Sequence, residues 1–162
     1  MNIFLTLAIL GLSISVNAQK VNFTGEYKLN KLKSELGGNP EFILSKSYTV
    51  KQNDAQIIIS KINLDSKLAE KPIATDSIQL IGETYIRRLP EIAGAKVHSK
   101  AKWIDSGNLE ITQEVKDRSD VVIVTVIEKW SLESDGKSLK VVKCLKQGTH
   151  VHYDMVGYYD KL

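Results

Sequence analysis

The sequence predicts an all-β chain that closes as an antiparallel up-and-down barrel of about 8–10 strands. Three observations carry that prediction. No segment after Gln19 sustains the roughly 3.6-residue apolar period of a helix. Alternating apolar and polar runs recur instead, each bounded by turn-forming residues. Gly82, Gly107, Gly136 and Gly148 all fall between such runs, where a positive φ is useful.

Taken in order, the leader comes first. Met1 to Ala18 carries no charged side chain, and Ile3 to Leu12 is almost wholly apolar. Val16 and Ala18 supply the small residues that precede a signal-peptidase cut, so Gln19 would begin the mature chain. The apolar stretch is shorter than the about 20 residues a membrane span needs. Position 19 is Gln rather than Cys, which argues against a bacterial lipid anchor. No later segment is apolar enough to span a membrane as a helix. The expectation is residues 1–18 as a cleaved signal peptide, residues 19–162 as one barrel domain, and export to the periplasm or beyond.

The strands follow. Gly25 to Leu32 places Tyr27 and Leu29 on one parity, and Gly37-Gly38-Asn39-Pro40 then breaks the chain. Ser45 to Gln52 carries Tyr48 and Val50 and ends at Asn53-Asp54. Gln56 to Asn63 is built on Ile57, Ile58, Ile59 and Ile62. A looser stretch from Leu64 to Ala74 leads to Thr75–Ile81, Gly82-Glu83 and Thr84–Leu89. Lys96 to Ile104 alternates Val97, Ser99, Ala101 and Trp103 against His98, Lys100 and Lys102. Asp105-Ser106-Gly107 turns it into Asn108–Val115, where Leu109, Ile111 and Val115 face one way. Val121 to Leu132 reads as the longest strand. Asp135-Gly136 is the strongest hairpin signal. Ser138–Lys146 and His150–Tyr159 complete the series. Closing such a meander removes its exposed edges, and a barrel of about eight strands can hold one small ligand. A two-sheet sandwich is the alternative.

Composition excludes several functions. With 22 Lys+Arg against 19 Asp+Glu, the net charge of +3 makes no concentrated basic field, so no nucleic acid is expected. One Cys, Cys144, excludes an internal disulfide and a cysteine metal cluster. It reads as a small side chain at the barrel wall. Neither a Gly-x-Ser-x-Gly elbow, a His-Glu-x-x-His pair, a phosphate loop nor a dinucleotide fingerprint is present. The expectation is a binding protein rather than an enzyme, with no cofactor.

Phe23-Thr24-Gly25-Glu26-Tyr27-Lys28-Leu29-Asn30, followed by Lys33-Ser34, resembles the opening of small bacterial lipocalin-like proteins. Ala101-Lys102-Trp103 before the Ser106-Gly107 turn looks like that family too. So does Glu128-Lys129-Trp130-Ser131-Leu132 with Ser134-Asp135-Gly136-Lys137-Ser138-Leu139. The resemblance runs from about Phe23 to Asp160. It implies a calycin-type barrel with ligand binding as the broad activity. Tyr27 stands where that family has Trp. Fatty-acid-binding barrels resemble the opening as well, but the arginine of their late strands has no counterpart here.

Several residues are candidates for chemistry. Tyr27, Tyr48, Ala101, Trp103 and Trp130 would face inward as core or cavity lining, for a small hydrophobic or amphipathic molecule. Arginine is rare, at Arg87, Arg88 and Arg118. Tyr85 shares the parity of Arg87, and the pair could orient an anionic head group. Glu128 shares the parity of Trp130. His150, His152 and Asp154 stand at alternating positions and could ligate a transition metal. Val121–Ile127 and Ile57–Ile59 are apolar on both faces. A loop, a terminal segment or a second copy of the chain, making a homodimer, would have to cover the extra face. A cell-envelope interaction protein with a filled barrel is the competing function.

Overall fold

The computed structural model describes residues 19–89, 92 and 94–162. Met1–Ala18, read from sequence as a signal peptide, lies outside the described residues. Ten strands follow one another: β1 (Gly25–Leu29), β2 (Ser47–Gln52), β3 (Gln56–Ile62), β4 (Ala74–Gln79), β5 (Tyr85–Arg88), β6 (Lys96–Trp103), β7 (Asn108–Lys116), β8 (Val122–Leu132), β9 (Ser138–Gln147) and β10 (His150–Lys161). They form one sheet in the order β4-β3-β2-β1-β10-β9-β8-β7-β6-β5, with every pair antiparallel. This is the expected up-and-down barrel, not a sandwich. Pairing of β1 with β10 brings the first and last strands together.

One seam stays open. β4 and β5 are the edges of the sheet and share no ladder. The bond from Arg87 Nε to Asp76 Oδ1, 2.9 Å long, spans it from inside. Side chains thus tie together two edges that would otherwise be templates for another strand.

Tight turns set the register. Gly136 has φ 65°, a conformation open to glycine without a Cβ penalty. Asp135 Oδ1 accepts the Lys137 N–H at 2.8 Å within the same turn. Asp105 Oδ1 accepts the Gly107 N–H at 2.8 Å in the β6–β7 turn. Trp103 is thereby held opposite Leu109, and Leu109 opposite Trp130.

Two details depart from the sequence expectation. β1 stops at Leu29 rather than Leu32, because Asn30 turns the chain by accepting the Ser34 N–H through its carbonyl. β10, at 12 residues, exceeds β8, at 11, because its end continues past Tyr159 to pair with Tyr27.

Alternation makes one end of the barrel differ from the other. The β2–β3, β4–β5, β6–β7 and β8–β9 turns gather at a closed end. The N-terminal segment seals that end: Val21 N–H donates to Ser106 O, and Phe23 is fully buried. The other connections gather at the mouth. There the long β1–β2 loop lies along β10 through a bridge between Glu35 and Val156. Its one-turn 3-10 helix, Glu41–Ile43, leads to Leu44, which is buried.

Candidate functional site

The barrel interior changes character from the closed end to the mouth. Nearest the closed end is an aromatic plug. Phe23 stacks on Trp103 with centroids 6.0 Å apart. Tyr48 meets the edge of Trp130 at 5.0 Å and of Tyr159 at 4.8 Å. Such edge-to-face pairs set positive ring edges against negative faces. Tyr27 is fully buried and donates its hydroxyl to Phe23 O at 3.0 Å. Gly157 makes the plug possible, since a Cβ there would lie 2.8 Å from Tyr159 Cε2.

A polar belt lies above the plug. Asp76, from β4, is almost wholly buried. It accepts Arg87 Nε from β5 at 2.9 Å and Gln113 Nε2 from β7 at 3.0 Å. Lys61 Nζ, from β3, reaches Asp76 Oδ2 at 3.5 Å and donates to Gln113 Oε1 at 3.2 Å. Gln113 Nε2 also donates to Ser99 Oγ at 3.0 Å. Deeper in, Glu128 accepts Trp130 Nε1 at 3.1 Å and faces Lys143 Nζ at 3.4 Å. Lys143 donates to the Ile43 carbonyl at 2.9 Å, linking the mouth loop to the belt.

The belt's electrostatics follow from burial and pairing. Burial alone would raise the Asp76 carboxyl. Lys61, Arg87 and Gln113 outweigh it and hold the group below its ordinary value. Burial opposes Glu128 in the same way, and Lys143, Lys61 and Trp130 hold it low. Burial pulls the Lys143 ammonium down, with Glu128 offsetting part of that pull. The Tyr48 and Tyr159 hydroxyls are pushed up by burial and by the Glu128 charge. Neither hydroxyl has a hydrogen-bond partner among the described residues.

Above the belt, on the mouth side, the inward rows turn aliphatic, and this half of the interior is called the cup. Its wall carries Val97 from β6, Val115 from β7, Val124 and Val126 from β8, Leu145 from β9 and Tyr153 from β10. The ladder register places Val126 opposite Leu145, and Leu145 opposite Tyr153, on one inward row. Most of these side chains are only half-buried although their parity turns them inward. Burial pushes the Tyr153 hydroxyl up to about 12.

The residues anticipated from sequence divide between these layers. Tyr27, Tyr48, Ala101 and Trp130 are buried in the plug or just above it, and Trp103 packs at its outer side. Tyr85 and Arg87 share the inward parity of β5: Tyr85 packs against the buried core, and Arg87 joins the belt through Asp76. Glu128 sits in the belt. His150, His152 and Asp154 do not form a common row. A bulge between Val151 and Tyr153 breaks the alternation. His150 then pairs with Gln147 and Asp154 with Cys144, positions of opposite parity on β9. His152 Nε2 lies 3.0 Å from Gln147 Oε1. Among the described residues, no group of three or more His, Cys, Asp or Glu could hold a metal ion. Cys144 is a free, half-buried thiol on the outer side of β9.

Lys61, Asp76, Gln113 and Lys143 escaped the sequence reading. The signal was present in each strand. Lys61 follows Ile57 and Ile59, Asp76 precedes Ile78, Gln113 follows Leu109 and Ile111, and Lys143 follows Leu139 and Val141. Each polar residue occupies the parity of an apolar row.

No protein-family model and no curated protein matches the chain. Among solved structures, a point mutant of the fluorescent protein UnaG is similar. It has a TM-score of 0.53 and 15% identity, over 86% of this chain and 96% of that chain. The likeness is one of fold, an antiparallel up-and-down β-barrel, here of ten strands.

Proposed function

We propose that this is an exported, non-enzymatic binding protein that holds a small hydrophobic or amphipathic molecule in the cup. One observation carries the reading. Inward-facing Val115, Val124, Val126, Leu145 and Tyr153 keep accessible surface at the mouth, while the opposite end is sealed by Phe23, Trp103 and Trp130. An apolar concavity with a few polar groups at its floor is the usual form of a small-molecule site. A ligand body would bury that wall, at roughly 25 cal/mol per Å² of apolar surface removed from water. The likeness to a calycin barrel agrees with this reading. Export rests on the leader, Met1–Ala18.

N-phenyl-1-naphthylamine, a neutral apolar dye, tests the binding step. Its fluorescence should rise saturably at one site per chain, and native mass spectrometry should show the matching adduct. No fluorescence change and no adduct, for the dye or for material carried through purification, would overturn the reading. Export is checked separately, by N-terminal sequencing of protein recovered outside the cytoplasm. A mature chain beginning at Gln19 is expected.

A further inference from the structure

The closed end holds a concavity of its own, on the outer side of the aromatic plug. Its volume is about 380 Å³, the size of a small-molecule site. The N-terminal segment, the β2–β3 turn and Leu80 surround it, and Trp103 supplies its aromatic wall. Phe23 stacks on that indole from the plug. The Lys20 ammonium also lies over the ring, 5.3 Å from its centroid. Lys20 is exposed, and a cation–π contact at an exposed site is weak enough for a ligand to take its place. Polar groups of fixed orientation line the rest. Asn22 Oδ1 accepts the Thr24 N–H at 2.8 Å, and Asn53 Oδ1 accepts the Ala55 and Gln56 N–H groups at 3.0 and 2.8 Å. Each amide is pinned through its oxygen, and its Nδ2 donors have no partner among the described residues. The Asp54 carboxylate likewise has no partner among them. Lys20 and Asp54 give the concavity one charge of each sign, so it favours neither an anion nor a cation. An apolar ligand would strip water from Asp54 and the amides and replace none of their bonds. A neutral ring with a C–H face and a rim of hydroxyls suits both kinds of wall.

We propose that this concavity is a site for a neutral pyranose sugar. The Trp103 indole stacks on the C–H face of the sugar, where hydrogens polarised by neighbouring oxygens meet the negative face of the π system. Asp54 accepts hydrogen bonds from adjacent hydroxyls, and Asn22 and Asn53 donate to hydroxyl oxygens through Nδ2. Lys20 leaves the ring and donates at the rim of the site. Sugars of the β-gluco configuration fit best, because all their ring hydroxyls are equatorial and their faces carry only axial C–H bonds. The site lies at the opposite end of the barrel from the cup, so it stands or falls independently of the binding proposed there.

Cellobiose, a neutral disaccharide of β-linked glucose, is the probe, followed through the indole N–H signals in proton–nitrogen correlation spectra. The chain's two tryptophans serve as site and reference. Trp103 lines the concavity, whereas the Trp130 N–H is bonded to Glu128 in the core. Loss of one signal in Trp103→Phe assigns the pair. The Trp103 signal should move saturably in the millimolar range while the Trp130 signal stays still. Sorbitol, which has the hydroxyls but no ring, should move neither. Asp54→Ala should weaken cellobiose binding about tenfold, the scale of a hydrogen bond to a charged group. Asp54 is exposed, so the variant should fold, and an unchanged Trp130 signal shows that it has. A still Trp103 signal at about 50 mM cellobiose would overturn the proposal. So would equal movement with sorbitol, or full affinity in Asp54→Ala. None of these outcomes bears on dye binding in the cup.

Discussion

Trp130 and Val126 lie on the same strand and point to the same side, yet their surroundings have little in common. Trp130 is fully buried, touches the rings of Phe23 and Tyr48, and gives its N–H to Glu128. Val126, one turn of the alternation nearer the mouth beyond Glu128, faces the cup and keeps part of its surface open. The closed half is packed with large rings anchored by Tyr27 and Gly157. The mouth half is lined with smaller aliphatic side chains that keep part of their surface accessible. The difference teaches that closure of the sheet does not decide whether a barrel is filled. Side-chain size along each inward row does. On the proposed reading, stability is thus concentrated in the plug and belt, and binding in the cup.

The sharpest way to break this contrast is Trp130→Ala. It empties the centre of the plug and strips Glu128 of a donor. A loss of about 3–5 kcal/mol in urea unfolding is expected. A loss below about 1 kcal/mol would mean that the plug is not the stabilising layer.

Asp76→Ala attacks the belt. It leaves Arg87 and Lys61 facing each other without a carboxylate and releases the β4–β5 seam, for an expected cost of about 3 kcal/mol or more. The acid dependence carries the same information without mutation. Asp76 and Glu128 are held below their ordinary values in the folded chain, so each stabilises the fold at neutral pH. That contribution is full above their unfolded values, about 4, and is lost as pH falls through the lower folded values. Urea midpoints should therefore decline as pH drops below about 4, and the decline should be shallower in Asp76→Asn.

The plug and the cup were unequally legible in the sequence. Tyr27, Tyr48, Leu109, Ile111 and Trp130 sit on strands whose period of two is clean, and parity alone turned them inward. The belt was harder to see because Lys61, Asp76 and Lys143 look like solvent-facing charges unless the parity of their neighbours is counted. Their partners lie on strands remote in sequence, and only barrel closure brings β3 beside β7. The His150/His152/Asp154 row failed for a different reason. Alternation was extrapolated through a bulge, and one extra residue reverses every side chain beyond it. No local residue announces that bulge.

Gly157→Ala should be the intermediate case. The added methyl would lie 2.8 Å from Tyr159 Cε2 and 3.3 Å from Leu44 Cδ1. Both neighbours are buried and cannot swing into solvent. Overpacking of about 1–3 kcal/mol is expected from urea unfolding. No loss at all would show that Tyr159 has room to move and that the plug is looser than its contacts imply.

Val126→Ala should have the smallest effect on folding and the most informative one on binding. Its side chain is only half-buried, so shortening it should forfeit less packing than a change in the plug. A stability loss below about 1 kcal/mol is expected. The same methyl groups form part of the wall that an apolar ligand would touch. Affinity for N-phenyl-1-naphthylamine should fall by roughly two- to fivefold, the scale of a partly buried methyl group. A folding loss comparable to that of Trp130→Ala would place Val126 in the core and remove the contrast between the halves. Unchanged folding together with unchanged dye affinity would move the ligand away from the β7–β9 wall.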